Sequence, residues 1–162
     1  MVIQSNSGEA CTCVVTEYHY HDDENFAVEI EWFSMEELTS QITELLRSYR
    51  HYHLHHIDMD SNEKKDFEER ANLAQDTFRA MFRGRLDNDK FLIDEPEDSA
   101  LGTLRSWLQA TDHSSIGGRE VRLTLSDCSA FLMRLTSEQT SARESAVWPY
   151  VRKVKFVYPM TP

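Results

Sequence analysis

The stretch FAVEIEWFSMEEL, residues 26–38, changes its periodicity at a single position. Up to Trp32 it alternates. Phe26, Val28, Ile30 and Trp32 fall on one side of an extended chain, and Ala27, Glu29 and Glu31 on the other. That is the pattern of a strand with one buried and one wet face. From Ser34 the spacing becomes helical, with Leu38, Ile42, Leu45, Leu46 and Tyr49 on one stripe. Ser34 and Glu37 stand at the spacing of a capping box, in which each side chain satisfies the other's backbone N–H. A strand followed directly by a capped amphipathic helix sets the class as α+β.

The elements on either side extend this reading. Upstream, TCVVTEYHYH (12–21) is strand-like, with Val14, Thr16, Tyr18 and Tyr20 on one face. The polar turn 22–25 then predicts a hairpin with the strand at 26–32. Downstream, the first helix runs to about residue 55. A second start signal is Asp60 with Glu63, followed by the stripe Phe67, Ala71, Ala74, Phe78, Met81 and Phe82, with Gly84 as the stop. A short apolar patch covers 91–93. A third helix begins near Pro96, with Glu95, Glu97 and Asp98 at the positive end of its dipole and Leu101, Leu104, Trp107 and Leu108 as its stripe. REVRLTL (119–125) alternates as a strand, with Val121, Leu123 and Leu125 inward. SAFLMRLT (129–136) fits a strand or a helix turn. YVRKVKFVY (150–158) closes the chain as a strand, with Val154, Phe156 and Tyr158 opposite Lys153 and Lys155. The expected order is β-β-α-α-α-β-β: an antiparallel sheet of about four strands with about three helices packed on one face. The 162 residues are read as one domain, 1–162, with residues 1–9 flexible.

Composition excludes some functions. There are 28 acidic against 17 basic residues, a net charge of −11. That balance opposes direct nucleic-acid binding, which needs clustered Lys and Arg, and binding to an anionic membrane. It permits a basic protein partner. Cys11, Cys13 and Cys128 are too few to form a disulfide framework, which indicates a reducing compartment. The start MVIQSNSGEA has no basic segment and no apolar core, so it is not read as a signal peptide. The expectation is a cytoplasmic or nuclear, non-secreted protein.

The most chemically loaded stretch is RHYHLHHIDMD, residues 50–60, with four of the seven histidines. On a helical wheel His53 and His56 continue the apolar stripe, while His51 and His55, four apart, share the opposite side. A pair at that spacing can hold one metal, zinc by type, with a third ligand from Asp58, Asp60 or His113. Tyr52 follows the first histidine, so the general base of H-E-x-x-H is missing. Histidines near a helix C-terminus also serve simply to complement its partial negative charge. Cys11, Cys13, His19 and His21 share a strand face, but Cys11 and His21 would lie about 33 Å apart on an extended chain. His19 and His21 instead neighbour Glu17, Glu29 and Glu31 on the wet face.

No Gly-rich phosphate loop and no G-x-S-x-G elbow is present. Asp87-x-Asp89 opens like a calcium loop but lacks the central glycine. Trp148 and Tyr150, with Glu29 and Glu31, are the candidate partner-binding residues; aromatic residues anchor interfaces when exposed and fill cores when buried. The expectation is a non-enzymatic protein–protein interaction module, without cofactor, that docks through a sheet face or a free edge. Two other readings are carried. One is a metal-dependent hydrolase or nuclease using His51 and His55. The other is an acidic inhibitor or nucleic-acid mimic that occupies a basic groove.

Overall fold

The structure is a computed structural model that describes residues 14–22, 24–86, 88–111, 119–122, 124–136 and 145–159. The flexible start expected at residues 1–9 lies outside them. The chain divides into two compact units: Met1–Phe33 with His113–Pro162, and Ser34–Asp112.

The first unit is built on β1 (Val15–His21), β2 (Phe26–Trp32), β3 (Arg119–Arg122) and β4 (Val151–Pro159), in the order β1-β4-β2-β3. β4 runs parallel to β1 and antiparallel to β2, which is antiparallel to β3. Two expectations are corrected here. The sheet is mixed rather than antiparallel throughout, and β1 and β2 are not a hairpin, because β4 lies between them. Alternation specifies which side chains share a face; it does not specify the neighbouring strand. Opposite charges meet across the inserted strand. Lys153 has Glu17 of β1 at 3.3 Å on one side and Glu31 of β2 at 3.5 Å on the other.

The apolar face is as expected, but the face expected to be wet is not wet throughout: Ala27 and Val157, in register across β2 and β4, are both buried on it. Val28 and Ile30 of β2 and Val154 and Phe156 of β4 lie in one core, with Phe26, Trp32 and Tyr158 packed at its margin. The element that covers this face is α5 (Leu125–Thr136), the segment left open between strand and helix turn. Its buried residues are Cys128, Phe131 and Leu135, spaced to face one side. Thr124 Oγ1 accepts from the Asp127 N–H at 3.1 Å and donates to the Asp127 carboxylate at 2.6 Å, which satisfies a first-turn donor. Leu125, expected to point inward from a strand, is therefore in a helix, and its side chain is exposed. A single 3₁₀ turn, Trp148–Tyr150, leads into β4. The Phe33 N–H donates to the Tyr150 carbonyl at 3.0 Å.

The second unit is helical: α1 (Met35–His55), α2 (Ser61–Met81), α3 (Phe91–Asp94) and α4 (Glu97–Gln109). With α5 the described residues hold five helices, where about three were expected. The added ones are the single turn α3, over the apolar patch at 91–93, and α5 itself. The capping box is formed: the Ser34 N–H donates to Glu37 Oε2 at 2.8 Å and the Glu37 N–H to Ser34 Oγ at 3.2 Å. Asp60 caps α2 by accepting from the N–H groups of Asn62 and Glu63, both at 2.9 Å. Gly84, at φ +77°, takes the left-handed conformation just past the end of α2. Leu38, Ile42, Leu46 and Tyr49 of α1 are buried, as are Ala71, Ala74, Phe78 and Met81 of α2 and Leu101, Leu104 and Leu108 of α4. The Arg50 guanidinium donates from Nη1 to the carbonyls of Leu92 at 2.6 Å and Glu95 at 2.9 Å, tying α3 to α1.

No helix among the described residues is long and apolar enough to cross a membrane.

Candidate functional site

Two places carry chemistry. The first is the C-terminal end of α1. His51 and His55 do come together, with ring centroids 5.4 Å apart, and both are exposed. His51 also leans on Phe67 of α2 at 4.5 Å, and the Arg70 guanidinium sits 5.5 Å from the same Phe67 ring. Of the expected third ligands, neither Asp58 nor Asp60 forms a metal-holding group with them among the described residues. The Asp60 carboxylate is occupied as the α2 cap, and His113 lies outside the described residues. No three His, Cys, Asp or Glu side chains converge among the described residues. A catalytic zinc needs three protein ligands and an open position.

The other two histidines take different roles. His53 stacks on the buried Tyr49 at 4.3 Å. Burial pushes its pKa down, the nearby His56 pushes it further, and the Asp89 carboxylate opposes both. The His56 N–H and its ring Nδ1 both meet the Tyr52 carbonyl, at 2.9 and 3.2 Å, so this residue closes the helix. Asp89 accepts from Gln75 Nε2 at 2.8 Å and lies 3.8 Å from Arg79. Burial and then the Asp89 charge raise the Tyr49 hydroxyl. This polar group anchors the segment after α2 to α1 and α2.

The second place is the outer edge of the sheet. β1 is bonded to β4 on one side only among the described residues. α5 packs against β2 and β3, at the far side of the sheet from β1. The β1 residues that continue the core face are therefore left uncovered: Tyr18 is 44% exposed and Tyr20 is 65% exposed. They are not isolated rings. Tyr20 lies 4.2 Å from Tyr158, and Tyr18 meets Phe156 edge-on at 6.0 Å. Phe156 stacks in turn with Tyr158 and with Phe26, each at 6.0 Å. An aromatic ladder thus starts in the core and emerges at the edge strand. A hydrogen bond with Tyr20 raises the Tyr158 hydroxyl pKa, and burial adds to the effect.

The opposite face of the same strands carries an ionic cluster beside the buried Ala27 and Val157. Glu17 receives His19 Nε2 at 3.1 Å and Lys153 Nζ at 3.3 Å. The His19 hydrogen bond, and then Lys153, hold the Glu17 carboxyl below its usual range against the opposing effect of burial. Glu31 lies 3.5 Å from both Lys153 and Arg152. Glu29 is in register with Lys155 of β4 and Arg119 of β3. Of the two glutamates singled out in the sequence, Glu31 thus sits in a cross-strand charge cluster, and Glu29 lies in register with a lysine of β4.

Trp148 is half-buried and packs at the core margin, and Tyr150 is only 3% exposed. Tyr150 thus fills the core, and the exposed aromatic surface belongs to Tyr18 and Tyr20 instead. Both tyrosines were legible as one strand face. Missing from the sequence was any sign that their strand borders β4 and is the outermost strand among the described residues.

Comparison with protein-family models, with curated proteins and with solved structures finds no match.

Proposed function

We propose that the protein is a non-enzymatic protein–protein interaction module whose docking surface is the β1 edge. One observation carries this reading. β1 pairs on one side only among the described residues, and Val15, Tyr18 and Tyr20 remain exposed on it. An edge strand offers a row of backbone donors and acceptors to an extended segment, and its side chains select that segment. Long, uncharged edges are aggregation hazards. Here Glu17 and His19 put polar groups on one face of the edge, while the tyrosines give the other a large, rigid contact area.

The hydrolase reading has the His51/His55 pair in its favour and lacks a third described ligand. The acidic-mimic reading needs carboxylates that confront a basic partner. On the sheet, Glu17 and Glu31 already face Lys153 and Arg152.

The test is affinity capture with the whole protein, beside a Tyr18→Lys/Tyr20→Lys variant checked for folding by circular dichroism. The expected result is a protein partner retained by the wild type in both low and high salt and lost by the variant. Retention by the variant would overturn the assignment of the edge. Steep loss of binding with salt would favour the mimic, and one tightly held metal ion per chain, lost in a His51→Ala/His55→Ala variant, would favour the hydrolase.

A further inference from the structure

The chemistry of β1 also indicates what kind of chain it takes. We infer that the β1 edge pairs antiparallel with β1 of a second copy, across a two-fold axis at Tyr18. This rests on the proposal that β1 is the docking edge.

The strand is VTEYHYH, Val15 to His21, and Tyr18 is its midpoint. An antiparallel pair centred there overlaps all seven residues. Glu17 of each copy then stands opposite His19 of the other, so the Glu17–His19 contact of 3.1 Å within each strand meets its two-fold mate, and two carboxylates and two imidazoles alternate on the ionic face. On the aromatic face Tyr18 meets its own counterpart, and Thr16 meets Tyr20. Side chains alternate with a period of two, so odd residues meet odd and even meet even, and each face of the sheet continues across the junction. Neighbouring registers that keep this match are worse. Centring on Glu17 sets carboxylate against carboxylate. Centring on His19 sets imidazole against imidazole and shortens the overlap. Like charges directly opposite are destabilising, and opposite charges and aromatic pairs are stabilising. The strand is thus complementary to itself in one register, which an isologous two-fold interface requires. Two four-stranded sheets would join into one continuous sheet, and the rings of Tyr18 and Tyr20 would lose solvent at the junction.

A single strand pair buries less than the roughly 1,200–2,000 Å² of a standard stable interface, so the association is concentration-dependent. Sedimentation velocity on the whole protein over a wide concentration range is the test, with His19→Glu and Glu17→His/His19→Glu as the variants. The wild type is expected to pass from monomer to dimer. His19→Glu sets Glu opposite Glu twice per dimer and is expected to weaken association about tenfold. The double variant exchanges the two side chains, again sets Glu opposite His, and is expected to return association to within about threefold of wild type. Thermal melts establish that both variants fold. A protein that stays monomeric throughout, a dimer indifferent to His19→Glu, or a swap that fails to restore association would each overturn the inference. In the monomeric case, a partner captured by the wild type and lost by Tyr18→Lys/Tyr20→Lys would leave the docking edge standing with a different chain as its occupant.

Discussion

At Glu17 one carboxylate serves two neighbours, His19 along its own strand and Lys153 across the sheet. Together they hold its pKa below that of an unfolded chain. A depressed carboxyl pKa adds stability that is present above the unfolded value and lost as pH falls through the folded one. The carboxyl resonance of Glu17 is therefore expected to titrate below the ordinary glutamate range, and Lys153→Met or His19→Ala to move the midpoint up. An ordinary midpoint in the wild type would contradict the contacts that His19 and Lys153 make with Glu17. Trp148 provides a second test at this scale. Its indole N–H is buried without a hydrogen-bond acceptor among the described residues. Leaving a buried donor unmet is costly, so Trp148→Phe loses ring area but also removes that penalty. It is expected to change stability by less than about 1 kcal/mol in chemical denaturation, whereas Phe131→Ala in the same core costs about 3–5 kcal/mol. Little of this was legible in the sequence. Whether Trp148 or Tyr150 is exposed depends on neighbours far along the chain.

Helices announce themselves locally, and strand partners do not. Ser34 with Glu37, and Asp60 with its acceptor role toward Asn62 and Glu63, both act as their spacing indicates. The apolar stripes of α1, α2 and α4 are buried, and α1 packs against both α2 and α4. Ser34→Ala and Asp60→Ala should each cost about 1 kcal/mol, read as a lower denaturation midpoint with an unchanged slope. No loss at either position would mean that the caps do not form in solution. α5 carried a signal of the same kind: Thr124 and Asp127 stand three apart, just before the buried spacing of Cys128, Phe131 and Leu135. The apolar run itself was compatible with either structure, so the cap was the deciding feature. The hairpin expectation failed for a different reason. A four-residue turn and two alternating strands are sufficient for a hairpin, yet β4, over a hundred residues away, supplies lysines with carboxylates on both sides and takes the place between them.

At the scale of the molecule, a contiguous helical unit, Ser34–Asp112, is inserted between the strands β2 and β3 of a sheet unit made from both chain ends. The α+β class followed from the sequence. The grouping of α1 to α4 with one another did not, because an amphipathic stripe does not identify the surface it covers. Residues 34–112 expressed alone are expected to show helical circular dichroism and a single cooperative melt, since they form a compact unit that carries the large buried side chains Phe78, Phe82, Leu92, Leu104 and Leu108. A non-cooperative melt would indicate one folding domain spanning all 162 residues. The docking role assigned to the sheet unit depends on its outermost strand, and amide hydrogen exchange along β1 tests it most directly. Alternate amides of an edge strand point away from the sheet, so in the free protein this outward set should exchange quickly while the set bonded to β4 is protected. The expected result is protection of the outward set that rises with protein concentration in the wild type and not in His19→Glu. Outward amides that exchange at one fast rate at every concentration, and also in the presence of a captured partner, would contradict the assignment of β1 as the docking edge.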